Sequence, residues 1–166
     1  MSVQHSHNTT PFSESKHPII VIGNQVTGPA NIGGLFRLCD AFGIEKLVLD
    51  REIDLSSPRL RKTARNTFTT VNYAYVPDLT SYIPELKSKG YRILGLEITS
   101  TSTPIQTYSK GANEKIALII GSEQHGIRED LLQLLDTCIH IEMFGTNSSM
   151  NVTQATAIAL FELTKT

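Results

Sequence analysis

The strongest constraint on this chain is an alternation of two kinds of segment. Short β-branched and aliphatic runs, "IIVIG" (19–23), "KLVL" (46–49), "VNYAYV" (71–76), "RILGLE" (92–97), "KIALIIG" (115–121) and "CIHIEM" (138–143), are separated by stretches with helical spacing. Those stretches are Asn31–Phe42, a basic segment at Ser56–Asn66, Asp78–Lys89, Arg128–Asp136 and a last one from about Asn151. Several strand runs are apolar without alternation, as expected of strands covered on both faces. The expected class is therefore α/β, a mostly parallel sheet with helices on both faces. A length of 166 residues with 40% hydrophobic content suits one domain. Residues 1–17 are polar and read as a flexible tail, in which His5, His7 and His17 are incidental, and 18–166 as the folded domain.

In open α/β sheets, ligands bind beyond the carboxyl ends of the strands. The loops expected there, "GNQVTGPANIGG", "GLEITSTSTP", "GSEQHG" and "FGTNSSMN", are rich in Gly, Ser, Thr and Asn, which let backbone approach a ligand closely. No Walker A motif and no G-x-G-x-x-G follow the first strand, which removes the main support for ordinary nucleotide-triphosphate or dinucleotide binding. Ser122, Glu123 and His125 lie almost adjacent, but not as G-x-S-x-G, and triad members normally meet from distant segments. Cys39 and Cys138 sit in apolar patterns, favouring reduced thiols over a disulfide or metal site. No apolar run approaches the roughly 20 residues a bilayer crossing needs, and the N-terminus has no signal-peptide core, so a cytoplasmic protein without membrane attachment is expected.

The net charge of −1 does not announce a nucleic-acid binder, so distribution matters more. "SSPRLRKTARN" carries Arg59, Arg61, Lys62 and Arg65 with no acid, and either neutralises phosphates or forms an ordinary solvated helix. In "PANIGGLFRLCDAFG", a helical wheel puts Leu35, Leu38, Cys39 and Phe42 on one side and Gly33, Arg37 and Asp40 on the other. On that reading Gly33 leaves room for a phosphate-bearing ligand beneath Arg37; the plainer alternative is a surface Arg37–Asp40 pair. Ser148 or Ser149 is placed to cap the last helix, and Ser149 and Asn151 lie at its entry beside a strand end.

Three separated segments, "PANIGGLFR", "IIGSEQHGI" and "IEMFGTNSSMNVTQA", resemble in order and spacing the three motifs of the SpoU (TrmH-like) group of SPOUT methyltransferases, over roughly residues 18 to 166. The resemblance implies a homodimeric enzyme whose C-terminal chain forms a trefoil knot around an S-adenosylmethionine site. It also implies methyl transfer to a ribose 2′-hydroxyl of tRNA or rRNA, with tRNA favoured for a compact member, and no metal. By position, Gly121, Ile141 and Ser149 with the strand end at Leu96 would form the cofactor pocket, and Met143 and Met150 would flank the adenine. Asn31, Arg37, Glu123, Ser149 and Asn151 would form the catalytic set, and Arg59, Arg61, Lys62 and Arg65 would grip RNA.

The family treats the Arg37 position as the base. Deprotonating an arginine near neutral pH demands roughly 8 kcal/mol, whereas one that stays protonated could stabilise a developing alkoxide and hold the adjacent phosphate; Arg37 is expected to be essential, with both roles open. Glu142 stands where the family usually has proline, Met150 replaces leucine and Thr153 replaces serine. The competing reading is a catalytically silent RNA-binding or ribosome-assembly module; a small-molecule methyltransferase is disfavoured by the basic stretch.

Overall fold

The computed structural model describes residues 2–6, 9, 10 and 12–165; His7 of the N-terminal reading lies outside the described residues. In chain order the elements are β1 His17–Gly23, α1 Pro29–Ala41, β2 Ile44–Leu49, α2 Pro58–Ala64, β3 Tyr73–Tyr75, α3 Leu79–Ser88, β4 Tyr91–Leu96, β5 Thr103–Pro104, β6 Lys115–Ile120, α4 Glu129–Leu132, β7 Thr137–His140 and α5 Val152–Leu163. The strands form one sheet in the order β3-β2-β1-β6-β4-β7-β5, and every strand pair is parallel.

Within β1, alternate residues enter different cores. Ile19 and Val21 join Leu47 and Leu118 beneath residues of α1, α2 and α5. Ile20 and Ile22 join Val48 and Ile119 beneath α3 and α4. Both faces of the central strands are thus covered, which is why their sequences run apolar without alternation. From β1 the chain crosses to β2 on one side, whereas from β6 it crosses towards β7 on the other. The gap between the carboxyl ends of β1 and β6 is therefore a topological switch point, where the outgoing loops diverge and leave a crevice.

Several boundaries differ from the sequence expectation: the strand expected over 138–143 ends at His140, and His17, read with the tail, opens β1 and donates its N–H to the Gly43 carbonyl at 2.8 Å. The helix expected over Arg128–Asp136 is only Glu129–Leu132, because Asp136 is already held by the sheet. Its backbone N–H donates to the Ile93 carbonyl at 2.9 Å and its carboxylate accepts from the Ile93 N–H at 2.8 Å. The expected six-residue strand at 71–76 is a three-residue edge strand, Tyr73–Tyr75. Thr103–Pro104, within a stretch read as loop, pairs with β7 at the opposite edge, where a proline is tolerated.

The glycine pair in α1 has a different use from the one expected. A β-carbon at Gly33 would lie 2.5 Å from the Leu60 carbonyl oxygen and 3.0 Å from Thr63 Cβ, and one at Gly34 would lie 2.8 Å from Thr153 Cγ2. Gly33 admits α2 and Gly34 admits α5, so the space expected beneath Arg37 is occupied by helix packing.

Asp78 caps α3, accepting from the Ser81 N–H. Hydrogen bonds from Ser81 and then Thr80 hold its carboxyl at about 2, below its ordinary 3.8. A depressed folded-state value means stabilisation present above 3.8 and lost as pH falls through about 2. Asp78→Ala is expected to flatten that acid limb, as checked by urea unfolding at a series of pH values. Among the described residues no helix is long and apolar enough to cross a membrane.

Candidate active site

α1 opens on Pro29, whose fixed φ suits a first turn, after Gly28, which makes no side-chain cap. The Asn31 side chain crosses instead to the loop after β6, donating from Nδ2 to Glu123 Oε1 at 3.0 Å. Asn151, the residue before α5, donates from Nδ2 to Glu123 Oε1 at 2.7 Å and to Asn31 Oδ1 at 3.0 Å. Its Oδ1 accepts the Thr153 N–H at 2.9 Å and also contacts the Thr153 hydroxyl. Only an oxygen can accept that backbone N–H, which orients the Asn151 amide and, through it, the amide of Asn31. Residues 31, 123 and 151 thus close a hydrogen-bonded triangle at the switch point. Asn151 is the α5 cap, a correction to the expected Ser148 or Ser149.

Beside the triangle, the ends of β4, β6 and β7 and the start of α5 enclose a cavity of about 170 Å³. Leu96, Gly121, Ile141, Met143, Ser149 and Met150 all line it, as does Glu123. It adjoins a second hollow of about 400 Å³ bounded by Ile98 and the loop through Phe144 and Ser148. Gly121 has a steric reason to be glycine: a β-carbon would lie 2.2 Å from the Gly126 carbonyl carbon and 2.4 Å from the Ile127 nitrogen. Glu142 does not line the first cavity; Gln106 Nε2 donates to its carboxylate.

Two polar wall residues escaped sequence reasoning, Glu97 and His140. Glu97 follows the last residue of β4, a position that the switch-point rule marks, but no motif singled it out. Ser102 Oγ lies 3.0 Å from the Thr99 carbonyl and 2.9 Å from His140 Nδ1, so one ring nitrogen of His140 is engaged with Ser102. Among the described residues no lysine or arginine lines the cavity.

Arg37 is not brought into this site. It is exposed and does not line the cavity. It lies six residues beyond Asn31, about 9 Å along the helix and roughly 120° around it. The alternative pairing with Asp40 is not formed either: Asp40 Oδ1 accepts from Thr70 Oγ1 at 3.3 Å. Arg59, Arg61, Lys62 and Arg65 are all exposed on or next to α2, the helix seated on Gly33. Arg61 is partly engaged, donating from Nε to the Leu55 carbonyl at 2.8 Å with its guanidinium 5.8 Å from the centre of the Phe68 ring. Ser122, Glu123 and His125 do not form a triad; Ser122 Oγ accepts the His125 backbone N–H. Cys39 and Cys138 are free thiols, and burial pushes Cys39 up to about 12, far from a reactive thiolate. Among the described residues no three His, Cys, Asp or Glu side chains converge as a metal site.

Comparison with known proteins bears on this geometry. The chain is 29% identical over 152 residues to the tRNA (guanosine(18)-2'-O)-methyltransferase of Saccharomyces cerevisiae, covering 90% of this chain and 10% of that one. It is 30% identical over 147 residues to the 23S rRNA (guanosine-2'-O-)-methyltransferase RlmB of Ralstonia nicotianae, covering 87% of this chain and 57% of that one. The chain thus spans a tenth of the yeast relative and little more than half of the bacterial one. In fold it is similar to the A. aeolicus TrmH/SpoU tRNA modifying enzyme, with a TM-score of 0.81 at 22% identity over 91% of this chain and 76% of that one. The model of the SpoU rRNA Methylase family matches residues 18–161, a span that holds the triangle, the cavity wall and the basic helix together, and the chain belongs to that family.

Proposed function

We propose that this protein is an S-adenosylmethionine-dependent RNA methyltransferase acting on a ribose 2′-hydroxyl, with tRNA favoured over rRNA. The observation that carries this reading is the Asn31–Glu123–Asn151 triangle at the rim of the cavity. Two neutral amides oriented by one carboxylate can position a hydroxyl without adding a competing positive charge. The wall fits the methyl donor: Leu96, Ile141, Met143 and Met150 offer apolar contact for a purine, and Glu97 and Glu123 offer acceptors. A wall without lysine or arginine suits a cationic ligand better than a phosphorylated nucleotide. When bound, S-adenosylmethionine supplies a methyl group already activated on a sulfonium.

The chain's own part is alignment and charge. Asn31, Glu123 and Asn151 hold the acceptor ribose, Ser149 borders both regions, and Arg37 either takes the hydroxyl proton itself or, staying protonated, stabilises the oxygen as that proton passes to water. Since Arg37 stands apart from the triangle within one chain, a complete site combines one subunit's triangle with the partner subunit's Arg37. The exposed Ile158 and Phe161, at 39% and 57%, give α5 an apolar face for such a homodimer. In the same reading residues 18–166 are the catalytic domain, and the turn from β7 into α5 closes a trefoil knot. Arg59, Lys62 and Arg65 contact RNA phosphates, with Arg61 shared between that role and the packing of its own loop.

The relatives named for tRNA and for 23S rRNA guanosine 2'-O-methylation support this chemistry. The test is incubation with labelled S-adenosylmethionine and total RNA, then alkaline digestion. Labelled alkali-resistant dinucleotides are expected, concentrated in tRNA. Label on bases alone would overturn the reading, and RNA binding without transfer would instead favour the silent module.

A further inference from the structure

We infer that Glu97 is the residue that recognises the sugar of the cofactor, its carboxylate taking the two hydroxyls of a ribose, one on each oxygen. This rests on the S-adenosylmethionine reading of the cavity and adds a specificity-determining residue to it.

The carboxylate is held from two directions. Oε1 accepts the N–H of Ile98 at 2.9 Å and Oε2 accepts the N–H of Ile127 at 3.1 Å. The Glu97 main chain is itself tied to β7, its N–H donating to the Ile139 carbonyl at 2.9 Å. An ionised carboxylate can accept about four hydrogen bonds, and these two leave roughly one site open on each oxygen. A vicinal diol presents two O–H donors from neighbouring carbons, a match to that pair. Acidic residues beyond a strand end serve ribose hydroxyls in the same way in dinucleotide-binding α/β folds.

The neighbouring loop is shaped around this group. Gly126 adopts φ +63°, and a β-carbon there would lie 2.4 Å from Glu97 Oε2, so this glycine makes room for the carboxylate. The other polar wall groups are less available. Glu123 Oε1 already accepts from both Asn31 and Asn151, and His140 has one ring nitrogen tied to Ser102. Glu97 is the acid on this wall whose two oxygens are each fixed by a single backbone donor.

The experiment is calorimetry on the full chain with S-adenosylhomocysteine and its 2′-deoxy and 3′-deoxy counterparts, all neutral at sulfur, so that attraction to a sulfonium does not enter. The wild type is expected to bind the ribose form about tenfold to a hundredfold tighter than either deoxy form, as for hydrogen bonds to a charged group. Glu97→Gln is expected to collapse that ratio to about threefold or less. Thermal melts establish that the variant is folded; Glu97→Asp, which keeps the charge but withdraws it, serves as the second variant and is expected to lose the ratio too. A wild type that binds S-adenosylmethionine but does not distinguish ribose from deoxyribose overturns the role of Glu97 alone, as does a folded Glu97→Gln that keeps the full ratio. Equal weakening of all three ligands by Glu97→Gln assigns it a purely structural role and also overturns the proposal. A wild type that binds neither S-adenosylmethionine nor S-adenosylhomocysteine overturns the reading of the cavity itself.

Discussion

Arg37→Ala is expected to lower methyl transfer by about 10²–10³-fold or more, the loss typical of removing a group that stabilises a developing oxyanion. It should leave the fold and cofactor binding intact. The side chain is exposed, and its removal uncovers no buried polar partner, so stability should stay within about 0.5 kcal/mol of wild type. Calorimetric binding of S-adenosylmethionine alongside single-turnover transfer to RNA checks both halves. Arg37→Lys separates roles: a point charge should recover part of the rate if electrostatic stabilisation suffices, and none if the planar fork is needed. The composite site makes a stronger demand. Arg37→Ala and Asn151→Ala, each inactive alone, should recover about a quarter of wild-type activity when mixed and allowed to exchange subunits, because half the dimers are mixed and each of those holds one intact site. No recovery after demonstrated exchange would place Arg37 and the triangle in the service of the same subunit.

Gly121→Ala carries the second large effect, this time on the cavity. The added methyl would meet the backbone of Gly126 and Ile127 at 2.2 to 2.5 Å. The usual relief, a small retreat of the loop, is blocked, since Gly126 is itself against the Glu97 carboxylate and its N–H is bonded to the Ser122 carbonyl at 2.9 Å. Overpacking of this kind costs about 1–3 kcal/mol of stability. Cofactor affinity is expected to fall by about tenfold or more, since the displaced backbone is the cavity wall. Unfolding curves and calorimetry together check it. Wild-type affinity in this variant would mean that the tight turn does not shape the binding site.

Much of the fold was legible because the signals are local. Apolar runs of five or six residues without alternation report strands buried on both faces, and β1, β4 and β6 obey that rule. The expectation failed where a distant partner decided the outcome. α4 stops early because Asp136 is bound to Ile93, 43 residues away. The two-residue β5 has too little sequence to carry any periodicity. Gly33 was misread for a related reason: a wheel places residues around a single helix but contains no second helix, and it is the Leu60 carbonyl of α2 that fills the space.

The site divides in the same way. Asn31, Glu123 and Asn151 could be named from motif positions, and Gly121, Ile141, Met143, Ser149 and Met150 likewise. Their residue types and spacing are properties of the chain alone. That the first three share hydrogen bonds, across separations of 92, 28 and 120 residues, follows from strand order: β1 and β6 are neighbours whose outgoing loops part. Glu97 became visible only when the β4 end and the Gly126 turn were brought together, since its significance lies in two backbone donors from different loops. By itself the sequence determined the α/β class and the chemical identity of the groups available, because burial and side-chain chemistry are written residue by residue. Tertiary structure alone decided which groups meet, what the glycines make room for, and that Arg37 stands apart from the triangle, because those are contacts between segments that no local pattern encodes.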